Sequence, residues 1–480
     1  MSYGELSNTQ ETMVMPLLQM KNIRGKPYIT VSAKGMVNGL SNIPNDGADF
    51  GPDTTKGATA PGQYGSPYTE TSGIQEAHKY AGIQSGQYNS RIPVYLREGT
   101  GVNNVFFVSS PININYDNSM IIGNGFIQST DSSLNAFNIG NATTGISHLT
   151  IENVGFYNFT NVFNVVNTAS SSFAWNFENL TFVGISNAIL ISTTAALGPT
   201  VNFVNCNGGA AYCMYLTVGA DNINFIDSNM SGEIYVDLPS GVSTVTISMI
   251  NSSLDQGSVS LTGSGIANSN YGVLMMYNSF ITGNITLTNS VVFTYADSGI
   301  GSGLICNAGS YAFMYGNGYI NGGTGTFYVI QENTGASGFV LIDGGYASNS
   351  STGSISTDNG TAVPVIVRNV VNMTSSANIH LTSVNVNTTA SPVSGTVYQN
   401  TNPYDIEIDL PVYATTSGTA GYVTVAKGAT STPTAIGNQF VSGSTSSTST
   451  DIIKLIVPAG WYYEFTASGV TFGTASVFAD

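Results

Sequence analysis

Charge is what this sequence has least of. Asp, Glu, Lys and Arg make up 8% of its 480 residues, where about a quarter is usual. The deficit falls on the cations. Of 11 Lys and Arg, eight lie in the first 97 residues: Lys21, Arg24, Lys26, Lys34, Lys56, Lys79, Arg91 and Arg97. From there to Lys427 the single cation is Arg368. The net charge of −16 therefore reflects missing bases rather than many acids. Nucleic-acid binding needs clustered basic side chains to neutralise phosphates, so no nucleic-acid partner is expected. Adsorption to an anionic bilayer is disfavoured on the same ground. Long apolar runs are missing too, which argues against membrane insertion by a helix. The N-terminus has no basic start leading into an apolar core, because Glu5 and Glu11 interrupt it. No secretory signal is read there.

Cysteine is equally scarce. Cys206, Cys213 and Cys306 are too few for a disulfide framework and lack zinc spacing. They read as buried free thiols, with a single Cys206–Cys213 bridge as the alternative. His78, His148 and His380 lie far apart and follow no metal-ligand pattern. GTG at 99–101 and GIGSG at 299–303 lack the Lys of a phosphate loop. No metal and no cofactor is expected.

What replaces the charges is Gly, Ser, Thr and Asn mixed with Val, Ile and Phe, a composition of strands and turns. Aromatics at 10% argue against disorder. Ten N-x-S/T sequons, from Asn141 to Asn387, permit glycosylation without compelling it. One short pattern keeps returning: apolar, any, small polar, any, any, apolar or aromatic. It begins at Ile121, Ile151, Phe177, Phe203, Phe225, Ile247, Met275, Met314, Leu341 and Val367, at intervals of 22 to 30 residues with one of 39. Self-similarity in that range marks a solenoid. Alternation within each copy is that of a strand, with Leu149, Ile151, Trp175 and Phe177 inward and Thr150, Glu152, Asn176 and Glu178 outward. About ten coils stacked in parallel at about 4.8 Å would make a rod of about 50 Å. The 39-residue interval should hold a large excursion or an unrecognised coil. The third residue of the pattern (Asn153, Asn179, Asn205, Asp227, Asp343, Asn369) suits a left-handed bend and a stacked amide ladder.

NDGADFGPDT at 45–54 followed by TSGIQEAHKYAG at 71–82 resembles the entry of viral tailspikes, where a Gly/Asp-rich turn precedes a helix capping the solenoid. PVYLREGTG at 93–101, SSPININ at 109–115 and MIIGNGF at 120–126 resemble the first coil that follows. The chain is thus similar to the pectate-lyase-like right-handed parallel β-helix superfamily over residues 40–390, and to its viral tailspike and fibre members in particular. The stretch at 455–480 is similar to terminal strands of virion fibres. The fold class expected is all-β. A particle-anchoring segment at 1–40, which would contact other virion proteins, precedes a capping turn and helix at 41–92. A parallel β-helix follows at 93–400, then a C-terminal β-sandwich at 401–480.

Lyase chemistry needs a carboxylate cage and a tuned base, and Arg368 stands alone. Glycoside hydrolysis needs two carboxylates, and Glu152 and Glu178 occupy one position in adjacent coils. They are the catalytic candidates if the protein is a hydrolase; two solvated surface glutamates are the alternative. That outward position continues as Val204, Ile226, Ser248, Met276, Tyr315, Ile342 and Arg368. Apolar residues in an outward row call for cover, and the resemblance implies a homotrimer. The function expected is a virion-surface spike that attaches to a host glycan or glycoprotein without catalysis, the archaeal viruses of hot acid being one source that low charge would suit. The alternatives are a glycan depolymerase on the same fold and a cellular surface adhesin of an acidophile.

Overall fold

The computed structural model describes residues 28–33, 48–88, 92–97, 105–141, 145–166, 174–193, 200–220, 222–240, 244–265, 270–307, 309–316, 319–321, 330–332, 338–348, 365–372, 378–383, 392–400, 405–415, 421–441 and 451–479. Of the segment expected to anchor to a particle, 1–40, only residues 28–33 are among them, and the Ser/Thr-rich stretch at 442–450 lies outside them. Short alternating segments punctuated by Asn, Ser and Gly can form only short strands. They stack into a right-handed parallel β-helix.

One face shows the stacking most plainly. Its strands are Ile29–Ser32, Val94–Arg97, Ser119–Ser129, Leu149–Tyr157, Ala174–Glu178, Thr200–Val204, Asn222–Ile226, Val245–Ile250, Gly272–Tyr277, Val291–Tyr295, Ser310–Tyr315, Gly338–Ser348 and Val365–Asn372, each paired in parallel with the next. Inward residues form columns. Phe177, Phe203, Phe225, Met249 and Met276 lie in register, and the first three rings follow one another at 5.1 Å. Each coil covers the apolar faces of its neighbours, so no coil has a core of its own.

A one-residue corner ends this face. Asn153, Asn179, Asn205, Asp227, Asn251 and Asn278 all have positive φ, between 45° and 56°, a conformation Asn and Asp tolerate best among residues with a side chain. The bend takes the next backbone N–H out of the strand ladder, and a second column supplies its acceptor. Ser228 N–H donates to Ser252 Oγ at 3.1 Å, Ser252 N–H to Ser279 Oγ at 3.1 Å, and Ser279 N–H to Ser298 Oγ at 3.3 Å. All four serines are buried, so the ladder satisfies groups that water cannot reach.

The structure revises the expected phasing in three places. The 39-residue interval contains a further coil, whose strand Val291–Tyr295 sits between Gly272–Tyr277 and Ser310–Tyr315. The outward row runs Glu152, Glu178, Val204, Ile226, Ile250 and Tyr277, not through Ser248 and Met276. Higher up it passes through Asp343, beside Tyr315 and Arg368, rather than through Ile342. Met276 and Ile342 point inward and are buried. A slip of one residue moves a side chain to the other face, and the Met275–Met276 pair offers alternation no landmark. The corner at Asp343 likewise falls one residue later, at Gly344, whose φ is 85°.

The helix expected near 71–82 runs over Ile74–Tyr88 and covers the lower end of the core. Its Gln75 side chain makes paired hydrogen bonds with the Asn113 backbone, donating at 3.2 Å and accepting at 2.5 Å. The buried Glu76 carboxylate accepts from Gly57 N–H and the Thr69 and Thr71 hydroxyls. The parallel face reaches back past the helix to Ile29–Ser32, earlier than residue 93. At the other end Val365–Asn372 takes an antiparallel neighbour, Asn378–Ser383. Two separate antiparallel sheets then enclose a second apolar cluster that includes Ile408, Leu410, Val425, Leu455 and Phe465. Their first strand, Val397–Gln399, begins slightly before the expected boundary at 401.

Candidate functional site: the asparagine corner

Outside the one-residue corner, the last outward residue of one strand and the first of the next flank a polar strip. The strip carries Asn153, Asn179, Asn205, Asp227, Asn251, Asn278 and Asp297, all exposed. Their side chains are linked along the axis where the spacing allows. Asn251 Nδ2 donates to Asp227 Oδ1, and Asn278 Nδ2 to Asn251 Oδ1, each at 3.1 Å.

Two hollows open on this strip. The lower, about 470 Å³, is lined by Asn124, Asn153, Asn179 and Thr181 with Phe126 at its side. Phe126 lies flat against Gly155, where any Cβ would sit 2.3 Å from the ring. The absence of a side chain there makes room for the ring. The upper, about 370 Å³, is lined by Asp227, Asn229, Asn251, Ser253, Asn278, Phe280 and Asp297. Neither hollow has a Lys or Arg in its lining.

Glu152 and Glu178 sit beside the lower hollow. They are register partners on adjacent strands, so their Cα atoms lie about 4.8 Å apart. Asn153 Nδ2 donates to Glu152 Oε1 at 3.2 Å. Partial burial, and then the Glu152 charge, raise the Glu178 pKa above the usual carboxylate range. Glu178 thus holds its proton more readily than an isolated glutamate. Ile122 and Val204 flank it in the same column, so the acidic surface is two rungs deep.

One histidine belongs to the capping helix and a second lies near it. His78 is buried in the helix with its ring edge against Tyr116, the centroids 5.7 Å apart, and burial lowers its pKa to about 4. His148 Nδ1 lies 3.6 Å from Asp117 Oδ1, and Asp117 borders the same small space as His78. Sequence separation concealed that proximity. No group of three or more His, Cys, Asp or Glu is placed to hold a metal among the described residues. The side chains of Arg368 and His380 lie outside them. Cys206, Cys213 and Cys306 are buried and not joined in a disulfide, and burial pushes the Cys206 thiol up to about 12.

Two aromatic groups escaped the sequence reading. Tyr277, Tyr295 and Tyr315 stack along the outward row at 4.8 and 5.8 Å; Tyr295 belongs to the coil hidden in the long interval. On a different face, Tyr215 and Tyr235 stack at 4.9 Å, with Tyr212 edge-on to both. Burial, then the neighbouring Asp237, raises the Tyr235 pKa. Tyr recurring at equivalent positions of successive coils is the signal that a correct register makes visible.

No protein-family model and no curated protein sequence matches the chain. Among solved structures it is similar to one described as "Pantoea stewartii WceF is a glycan biofilm modifying enzyme with a bacteriophage tailspike-like parallel beta-helix fold". The identity is 12% over 85% of this chain and 61% of that chain, with a TM-score of 0.28. The chain thus spans less than two thirds of that protein. The likeness is one of backbone architecture.

Proposed function

We propose that the protein is a virion-surface attachment spike whose solenoid binds a host surface glycan without chemically altering it. The observation that carries this reading is the asparagine corner. It is a polar strip with two open hollows, built on a backbone that successive coils hold in register. Amides and hydroxyls offer donors and acceptors to sugar hydroxyls, and a preformed surface needs little ordering on binding. The N-terminal segment is assigned to attachment on the particle, and the uncharged part of the outward row, from Val204 to Tyr315, to neighbouring copies in a homotrimer. The chain's resemblance to tailspikes supports the virion assignment.

The second reading is a glycoside hydrolase acting through Glu152 and Glu178, and the in-register carboxylates beside a hollow favour it. A retaining mechanism wants its carboxyls about 5–5.5 Å apart. Incubating the protein with polysaccharide extracted from candidate hosts, and measuring new reducing ends, separates the two. Binding without product supports the attachment reading. Sustained turnover that disappears in Glu152→Gln or Glu178→Gln would sink it and make the pair catalytic.

A further inference from the structure

We infer that the glycan recognised is an uncharged linear chain lying along the asparagine corner, parallel to the solenoid axis, with about one sugar per rung. This rests on the glycan-binding reading and specifies its ligand class and path.

Three observations point there. The first is electrostatic. Between Arg97 and Lys427 the chain has one cation, Arg368, and the corner bears Asp227 and Asp297 with Glu152 and Glu178 at its lower end. An anionic polysaccharide would meet carboxylates and no guanidinium or ammonium partner, and charge-assisted pairs are how anionic sugars are normally held. An uncharged chain carries no such penalty.

The second is the spacing. Asn153, Asn179, Asn205, Asp227, Asn251, Asn278 and Asp297 mark successive rungs of the corner. Six steps between seven positions at about 4.8 Å give about 29 Å of regularly repeated polar groups. The rung repeat is close to the length of one pyranose in an extended chain. A linear glycan along the axis would therefore present its hydroxyls to an amide or a carboxylate at each step. A chain laid across the coils would meet the strip once.

The third is hydrogen-bonding capacity. A side-chain amide has two N–H donors and two acceptor lone pairs. Asn251 donates once within the ladder and accepts once. The ladder thus fixes the orientation of the Asn251 and Asn278 amides while leaving them able to bond outward. At either end an aromatic side chain, Phe126 or Phe280, borders the hollow and can pack against the apolar face of a sugar ring. The stacked Tyr277, Tyr295 and Tyr315 are less suited to that task, because their faces are turned to one another.

The test uses the full chain and immobilised oligosaccharides of graded length, uncharged mannan fragments on one surface and anionic oligogalacturonate on another. Affinity for the uncharged series should rise with length, level off near the span of the corner, and change little with salt. Asn251→Gly with Asn278→Gly keeps the left-handed backbone and removes two amides. Affinity should fall by about tenfold while the circular dichroism spectrum is retained. Asn229→Ala, at a strand position with no unusual backbone, provides an independent variant should the double Gly protein fold poorly; it should weaken binding in the same direction. Preference for oligogalacturonate, or uncharged binding untouched by both variants, overturns the inference while leaving glycan binding intact. Failure to bind either series, or polysaccharide extracted from candidate hosts, removes the glycan-binding reading itself.

Discussion

At the scale of single residues, two groups with shifted pKa values act with opposite sign on the acid stability of the protein. His78 is held neutral by burial, with its pKa lowered from 6.5 to about 4. Between those values the unfolded chain takes up a proton that the native cap does not. Stability therefore falls as pH drops through that window, by up to about 3 kcal/mol. Urea titrations at about pH 7 and about pH 4.5 should show a larger loss for the native sequence than for His78→Phe, which removes the titration. Equal losses would mean that His78 is not the group responsible. Glu178 works the other way. Its raised native pKa favours the folded state at low pH, and that contribution fades as pH rises through the native value. Glu178→Gln should flatten this part of the profile without touching the His78 part.

At the scale of elements, the corner is stabilised from inside as well as outside. Ser252 Oγ receives the Ser228 N–H and donates to the Ile250 carbonyl at 2.8 Å. Ser252→Ala leaves a buried N–H without its partner, which costs about 1–3 kcal/mol. Ser260→Ala, on an outward strand position, should shift stability by less than about 0.5 kcal/mol. Denaturant midpoints of the two variants compare them directly, and equal midpoints would show that the serine column is dispensable. The same corner illustrates what periodicity cannot reveal. Asn153, Asn179, Asn205 and Asp227 follow the apolar pattern in phase and are legible as a ladder. Asn251 and Asn278 drop out of it, since the apolar runs before them allow more than one phase.

At the scale of the whole molecule, a stack of coils must finish its ends, because an unpaired edge strand invites further pairing. The helix Ile74–Tyr88 covers one end, and the antiparallel strand Asn378–Ser383 pairs with the last parallel strand. The side surface is the one left for partners. Val204, Ile226, Ile250, Tyr277, Tyr295 and Tyr315 form an uncharged outward row on a chain of net charge −16. Two copies brought together there would avoid like-charge repulsion. Sedimentation equilibrium should give a mass near three times the 50.1 kDa chain, and Tyr295→Glu should lower it. A monomeric native protein would remove this row as an interface between copies.

Strand character, the parallel stack, the scarcity of cations beyond residue 97 and the in-register Glu152–Glu178 pair were all determined by the sequence alone. They depend on composition and on a repeat whose apolar positions recur whatever the loops do. The coil at Val291–Tyr295, the true outward row and the two hollows were decided only in three dimensions. Each depends on which residue of one coil lies over which residue of the next. Where two apolar residues stand side by side, as at Met275 and Met276, the local pattern fits either register, and only packing of the stacked side chains selects one.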